Sequence, residues 1–171
     1  MAILRRKRHA QEDLDDSMLE NLQRLEAVNA THLWGAPPRP ELDALTQRAA
    51  ARLGTPAAYL TLLDDKRQFL ASAVRPGGAE GPREGPVSAS YCQHVVRADD
   101  VLVVDNALTD PLVSDNVATT RDGVRAYLGV PIRKDGYPLG SFCVVDTEPR
   151  EWTDGDLAVL QQLADEAMAT L

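Results

Sequence analysis

Residues Ala126–Arg150 read AYLGVPIRKDGYPLGSFCVVDTEPR. Two strand-like runs, Tyr127–Arg133 and Pro138–Asp146, flank the turn formers Asp135 and Gly136, and that spacing predicts a β-hairpin. A helix follows at once. Thr153 is a suitable N-cap, and Asp156 three residues on approximates a capping box with Asp in the glutamate position. Leu157, Leu160, Ala164, Ala167 and Leu171, with Leu163 and Met168 alongside, form a narrow apolar seam spaced by threes and fours to Leu171.

Working outward, Pro40–Leu53 is predicted as a helix with Leu42, Leu45, Ala49 and Leu53 on one side, and Gly54 sits where a C-terminal cap belongs. Ala57–Leu63 (AAYLTLL) is an apolar strand, Asp64–Lys66 a turn, and Gln68–Val74 a returning strand. The glycine- and proline-rich stretch Pro76–Pro86 predicts a mobile loop over one face of the sheet. Ser88 or Ser90 caps a short helix over Tyr91–Ala98, and Val101–Val104 is a short apolar strand. Leu108–Asn116 holds turn residues, with a single helical turn after Asp110. Before all of these, Leu14, Met18, Leu22, Leu25 and Val28 recur at helical spacing over Asp13–Asn29, which predicts an amphipathic helix. Trp34-Gly35-Ala36-Pro37-Pro38 ends it as a linker. The expected organisation is therefore a basic tail, helix and linker over residues 1–38 and one domain over residues 39–171.

The 171 residues suit one domain with a helical extension. The net charge is −8; with the four basic residues Arg5–Arg8 set aside, 14 of the 18 basic residues remain against 26 acidic ones, a net of −12. Such a body repels polyanions, so nucleic-acid binding by the folded part is disfavoured, and Arg5–Arg8 reads as a frayed, solvated terminus. No apolar run reaches the ~18 residues of a membrane span and no export signal is legible, which places the expected chain in the cytoplasm with Cys92 and Cys143 reduced.

The order of elements over Glu41–Leu171 resembles a GAF domain. Leu62-Leu63-Asp64-Asp65-Lys66-Arg67-Gln68-Phe69 is similar to that family's first hairpin, and Ser90-Tyr91-Cys92-Gln93-His94-Val95-Val96 to the S-F-C-x-H segment of one large bacterial subgroup. Val103-Val104-Asp105-Asn106-Ala107, Asp110-Pro111, Asp115-Asn116, Tyr127-Leu128-Gly129-Val130-Pro131-Ile132 and Leu139-Gly140-Ser141-Phe142-Cys143-Val144-Val145-Asp146 follow in the subgroup's order. The resemblance implies an α+β fold: a central antiparallel sheet of five or six strands, helices on one face, and loops with a short helix over a ligand pocket on the other. It also implies terminal helices that pair two subunits, and signal reception more than chemistry. No effector module follows Leu171, so the output is expected on a separate signalling protein or elsewhere on a longer chain.

Cys92 and His94 are the obvious reactive candidates, since a neighbouring His lowers a thiol pKa. On a helix, however, residues two apart point about 200° from each other, which favours a buried structural thiol. Cys143 reads as a small core residue. Two Cys and His94, without a CxxC pair, fall short of a zinc site. Bilin attachment in the family uses Cys followed directly by His, and Gln93 breaks that pattern; haem is equally disfavoured, and no cofactor is predicted. Asp105, Asn106, Asp110, Asp115 and Asn116 serve turns or line a pocket. Arg125 and Tyr127 enter the hairpin from the same loop, placed to reach a bound anion or ring. Phe69, Tyr91 and Phe142 belong to the core or the pocket wall.

The pocket candidates are thus Phe69, Tyr91, Cys92, His94, Asp105, Asn106, Asp110, Asn116, Arg125, Tyr127 and Cys143. The dimer-helix candidates are Leu14, Met18, Leu22, Leu25, Leu157, Leu160, Ala164 and Leu171. The leading expectation is a non-enzymatic sensory homodimer that binds a small molecule or a partner protein beneath Pro76–Pro86 and Ala107–Gly123. Two alternatives stand beside it: a dimeric scaffold whose pocket is filled by its own side chains, and a thiol-based redox sensor or reductase using Cys92.

Overall fold

The structure, a computed structural model, describes residues 2–10 and 12–171. Its centre is a six-stranded antiparallel sheet in the order β3-β2-β1-β6-β5-β4. The strands are β1 (Ala57–Leu63), β2 (Arg67–Val74), β3 (Glu84–Pro86), β4 (Leu102–Val104), β5 (Ala126–Lys134) and β6 (Tyr137–Asp146). The helices are α1 (Ala2–Ala10), α2 (Leu22–Ala30), α3 (Pro40–Leu53), α4 (Cys92–Ala98), α5 (Val117–Thr120) and α6 (Asp154–Met168).

Period-two alternation sorts the central strands into two faces. Ala58, Leu60 and Leu62 of β1, Leu128, Val130 and Ile132 of β5, and Phe142 and Val144 of β6 join one core with residues of α3 and α6. Tyr127 of β5 and Cys143 of β6 belong to a second cluster with Tyr91, Cys92, Val95 and Val96 at the start of and along α4, and Tyr59 packs against it. The β5–β6 turn has Asp135 and Gly136 both at positive φ, 54° and 82°, the type I′ geometry that matches strand twist. Gly140 is required by close approach: a Cβ there would overlap the Thr61 carbonyl of β1.

Helix α3 and its left-handed Gly54 cap lie where the sequence predicts them, and Thr153 and Asp156 close the predicted capping box of α6. The N-terminal third differs. The predicted helix over Asp13–Asn29 is shortened to α2, with turns before it. Leu14 and Leu22, read as seam residues, are 39% and 71% exposed, while Leu19 and Arg24 are fully buried. Met18 is half-buried against the second cluster, and Leu25 is half-buried.

The reversal has a cause. The Arg24 guanidinium donates to four carbonyls, those of Met18 (3.0 Å), Leu19 (2.9 Å), Leu63 (2.8 Å) and Pro138 (3.2 Å), tying the N-terminal segment to both sheet hairpins. Burial lowers its pKa to about 10, so it stays charged at neutral pH. A buried guanidinium thus holds the N-terminal segment on the sheet.

The dimer seam of α6 is corrected as well. Leu157, Leu160 and Ala164 are buried in this chain's own core, and Leu171 packs against it, so the stripe is occupied by the sheet. Nor is the basic segment Arg5–Arg8 frayed. It lies in α1, whose Leu4 is buried in the helix-side core, with Lys7 paired to Asp100 and Arg8 donating to both Asp105 oxygens (2.6 and 3.1 Å) and to the Trp152 carbonyl (2.8 Å). The loop after β2 is also more ordered than predicted: its end forms β3, which pairs with Arg67–Phe69. Among the described residues no helix is long and apolar enough to cross a membrane.

Candidate functional site

The sheet face away from α3 and α6 holds a cavity of about 430 Å³. Its floor is the pocket-facing half of the central strands: Ala57, Tyr59 and Thr61 of β1, Gln68 and Leu70 of β2, Tyr127 of β5, and Cys143 and Val145 of β6. The walls come from Arg75, Pro76 and Pro82 of the loop after β2, from Ala89–Cys92, and from Ala118, Asp122 and Val124 around α5. That volume falls within the ~300–1,000 Å³ common for ligand sites, and the lining mixes apolar surface with a few polar groups in the usual way.

The deep wall is a hydroxyl and thiol network. The Tyr127 hydroxyl lies 3.2 Å from the Cys92 sulfur and 3.0 Å from the Ser141 hydroxyl. Gly129 makes this possible, because any Cβ there would strike the Tyr127 ring. The Cys92 amide donates to the Ser90 hydroxyl at 3.1 Å, which starts α4 at the cavity wall. Burial raises the pKa of all three phenols, Tyr59 to about 12, so each remains a protonated donor at neutral pH. Hydrogen bonding at its sulfur lowers the Cys92 pKa against the opposing effect of burial, while burial raises that of Cys143.

The lid around α5 is latched. Asn116 caps α5 by accepting from the Ala118 amide (2.9 Å), and its side-chain amide donates to the Ser88 carbonyl across the mouth (3.1 Å). Thr119 donates to the Val113 carbonyl (2.7 Å) and is paired with the Tyr91 hydroxyl. The Arg125 guanidinium donates to the carbonyls of Thr119 (2.9 Å) and Val124 (2.8 Å).

Of the predicted pocket residues, Tyr91, Cys92, Tyr127 and Cys143 line the cavity together. The others do not. Phe69 sits on the opposite face, stacked on Trp34 with ring centroids 5.5 Å apart and the Arg83 guanidinium 4.6 Å from its ring. His94 points away from the cavity and borders a separate void of about 70 Å³ together with Lys7, Glu12 and Asp100; its Nδ1 has no partner among the described residues. Asp105 is a structural hub that accepts from Arg8 and from the Trp152 amide (3.1 Å). Asn106 and Asp110 serve their own turns, accepting from the amides of Leu108 (3.1 Å) and Leu112 (2.9 Å). Asn116 and Arg125 shape the lid rather than face the cavity.

Sequence reasoning missed Tyr59, Thr61, Gln68, Leu70 and Arg75. The first two were legible, because a strand buried on both faces still alternates and Tyr59 and Thr61 share a parity opposite to Leu60 and Leu62. Helix α5 is a single turn, too short for any periodicity. Among the described residues no group of three or more His, Cys, Asp or Glu side chains could hold a metal ion.

The GAF domain family matches residues 37–171. This chain belongs to the GAF family. A cyclic di-GMP phosphodiesterase of Pseudomonas aeruginosa is 31% identical over 126 residues, covering 72% of this chain and 21% of that protein. The chain therefore spans about a fifth of the length of the curated relative it matches. Solved GAF folds superpose well at low identity. The blue-light-absorbing PixJ GAF domain of Thermosynechococcus elongatus gives a TM-score of 0.64 at 18% identity, covering 88% of each chain. A GAF domain from an Acinetobacter phosphoenolpyruvate-protein phosphotransferase gives 0.60 at 16%, covering 88% of this chain and 93% of that one. A free methionine-R-sulfoxide reductase of Thermoplasma acidophilum gives 0.63 at 16%, covering 77% and 90%. These likenesses concern the fold.

Proposed function

We propose that this chain is a sensory domain that holds a small organic molecule in the cavity and reports its occupancy to a signalling output. The observation that carries the reading is the cavity itself. Its side chains leave about 430 Å³ unfilled on the one sheet face that the long helices leave free. A scaffold with a self-filled pocket requires the opposite. The lining suits a mostly apolar molecule with a few acceptors, met by the protonated phenols of Tyr59 and Tyr127 and by Arg75 and Gln68 at the side. By its name the Pseudomonas relative is a cyclic di-GMP phosphodiesterase, and the match to 21% of that protein supports a regulatory part for this chain beside such an output.

The route for the signal is short. Val145 and Thr147 line the cavity at the end of β6, a few residues before Trp152 and α6. A molecule that binds one arrangement of the lid and of this connection more tightly shifts the population toward it. The test is native mass spectrometry of protein purified from its own host, with thermal shifts against a panel of small metabolites. A released non-covalent adduct, or a saturable rise in Tm that Gln68→Ala and Arg75→Ala weaken, supports the reading. An empty protein that no compound stabilises overturns it.

A further inference from the structure

Strand β2 does not keep one parity along its length. Leu70 lies opposite Thr61 of β1 and Ser72 opposite Leu60, which leaves Ala71 as the extra residue of a β-bulge. Before the bulge, Gln68 and Leu70 line the cavity while Phe69 belongs to the helix-side core. After it the faces are exchanged: Ser72 bonds Thr46 and Asp43 of α3, and Val74 packs against the helix-side core. Arg75, which an unbroken strand would place on the face of Phe69 and Ala71, is thereby turned into the cavity wall.

What the bulge delivers is a half-buried arginine with no carboxylate. Among the described residues Arg75 makes one hydrogen bond, from Nη2 to the Pro82 carbonyl (2.5 Å), and its Nη1 fills the space beside Gly81, where a Cβ would overlap it. The other charged residue of the lining, Asp122, is paired with Arg121 (3.0 Å). In a chain of net charge −8, a shortage of acids does not explain an unpaired arginine at a cavity. The deep wall is of the opposite kind. The Tyr127 hydroxyl is shared between Cys92 (3.2 Å) and Ser141 (3.0 Å), and that of Tyr91 is paired with Thr119, so this end offers aromatic rings whose polar atoms are already satisfied.

We propose that the occupant is an apolar monocarboxylic acid, with its carboxylate on Arg75 and its hydrocarbon body against Tyr91 and Tyr127. This rests on the cavity being a ligand site, and it adds the chemical class and the direction in which the molecule lies. A guanidinium presents planar paired donors that match a carboxylate, and the charge makes those bonds stronger than neutral ones. One unpaired cation serves one negative charge. A phosphate dianion would leave its second charge against an apolar wall, and an amine would meet Arg75 as a like charge. A neutral amide of the same shape keeps the apolar contacts and loses the charge-assisted bonds.

The experiment is calorimetric titration of the full chain with octanoate and phenylacetate, each beside its primary amide, and with phenethylamine. The expected result is saturable binding of the acids, about tenfold tighter than that of the amides, and no binding of the amine. In Arg75→Gln the acid and its amide are expected to bind alike. Amides that bind as tightly as the acids, tighter binding of the amine, or an acid preference that survives Arg75→Gln would each overturn the inference, while the saturable occupancy itself would leave the sensory function standing. Absence of binding by both acids also overturns the inference; the sensory function falls with it only where the host-purified protein is empty and no metabolite raises its Tm. The contrast between acid and amide in the unmodified chain is the primary readout, so an Arg75→Gln protein that fails to fold does not rescue the inference.

Discussion

The two faces of the sheet are built from alternate residues of the same strands and differ in kind. Toward α3 and α6 the strands present Leu60, Leu62, Leu128, Val130, Ile132, Phe142 and Val144, all buried in one apolar core, with Ser72 of β2 hydrogen-bonded to Thr46 and Asp43 of α3 at its edge. Toward α4 and α5 they present Tyr59, Thr61, Tyr127, Ser141, Cys143 and Val145, around a cavity. The first face is buried side chain against side chain, where each methylene counts toward stability. The second leaves space and spends its polar atoms on one another. One strand sequence thus serves two ends, with parity assigning each residue to one or the other.

Substitutions that separate the faces test this division. The largest effect is expected from Phe142→Ala, which empties the filled core and should cost about 4 kcal/mol in urea unfolding; a loss near 1 kcal/mol would mean that the packed face is not the stabilising one. Arg24→Ala follows, because it strands the carbonyls of Leu19, Leu63 and Pro138 without their donor. The expected cost is about 3 kcal/mol, with early hydrogen exchange in α2 as its local signature.

His94 gives a smaller and conditional effect. Burial first, and then the Arg97 charge, against the weaker pull of Asp13 and Asp115, lowers its pKa from 6.5 to about 4. A histidine held neutral in the folded state contributes stability that is fully present above pH 6.5 and is lost as the pH falls toward 4. The wild-type protein should lose about 2–3 kcal/mol across that window, and His94→Gln should flatten the profile there; an unchanged profile would place His94 in contact with water. The smallest effect is expected from Tyr127→Phe, which keeps the ring and removes the hydroxyl between Cys92 and Ser141. It should cost about 1 kcal/mol in calorimetry, against the much larger cost of Phe142→Ala on the other face.

How legible each region was follows from the same physics. The hairpin over β5 and β6, helix α3 with its Gly54 cap and the Thr153 capping box were all readable, because their signals are local: a turn dipeptide, a left-handed glycine, a side chain bonding its own helix end. The N-terminal segment was not, because its register is set by Arg24 reaching carbonyls 39 and 114 positions away, and no local pattern encodes that. The seam on α6 was legible as apolar, and of the two coverings its spacing allowed, a second subunit or the sheet, the residues lie against this chain's own core, since spacing shows that a face is buried and not what buries it. In the site, Tyr91, Cys92, Tyr127 and Cys143 were found through motif order. Asp105, Asn106, Asp110 and Asn116 were overread, since each meets a local backbone need. That Cys92 and Cys143 share one cavity lining arises from the packing of α4 on β6 and has no signature in the spacing of the two residues.

The division between a filled face and an open one is tested most directly by urea unfolding of Leu70→Trp, which places a large ring into the cavity from β2. An open receptacle predicts stability within about 1 kcal/mol of the wild type, since added volume is costly only in a core already packed. A loss as large as that of Phe142→Ala would show that the pocket side is a second packed core and would contradict the account.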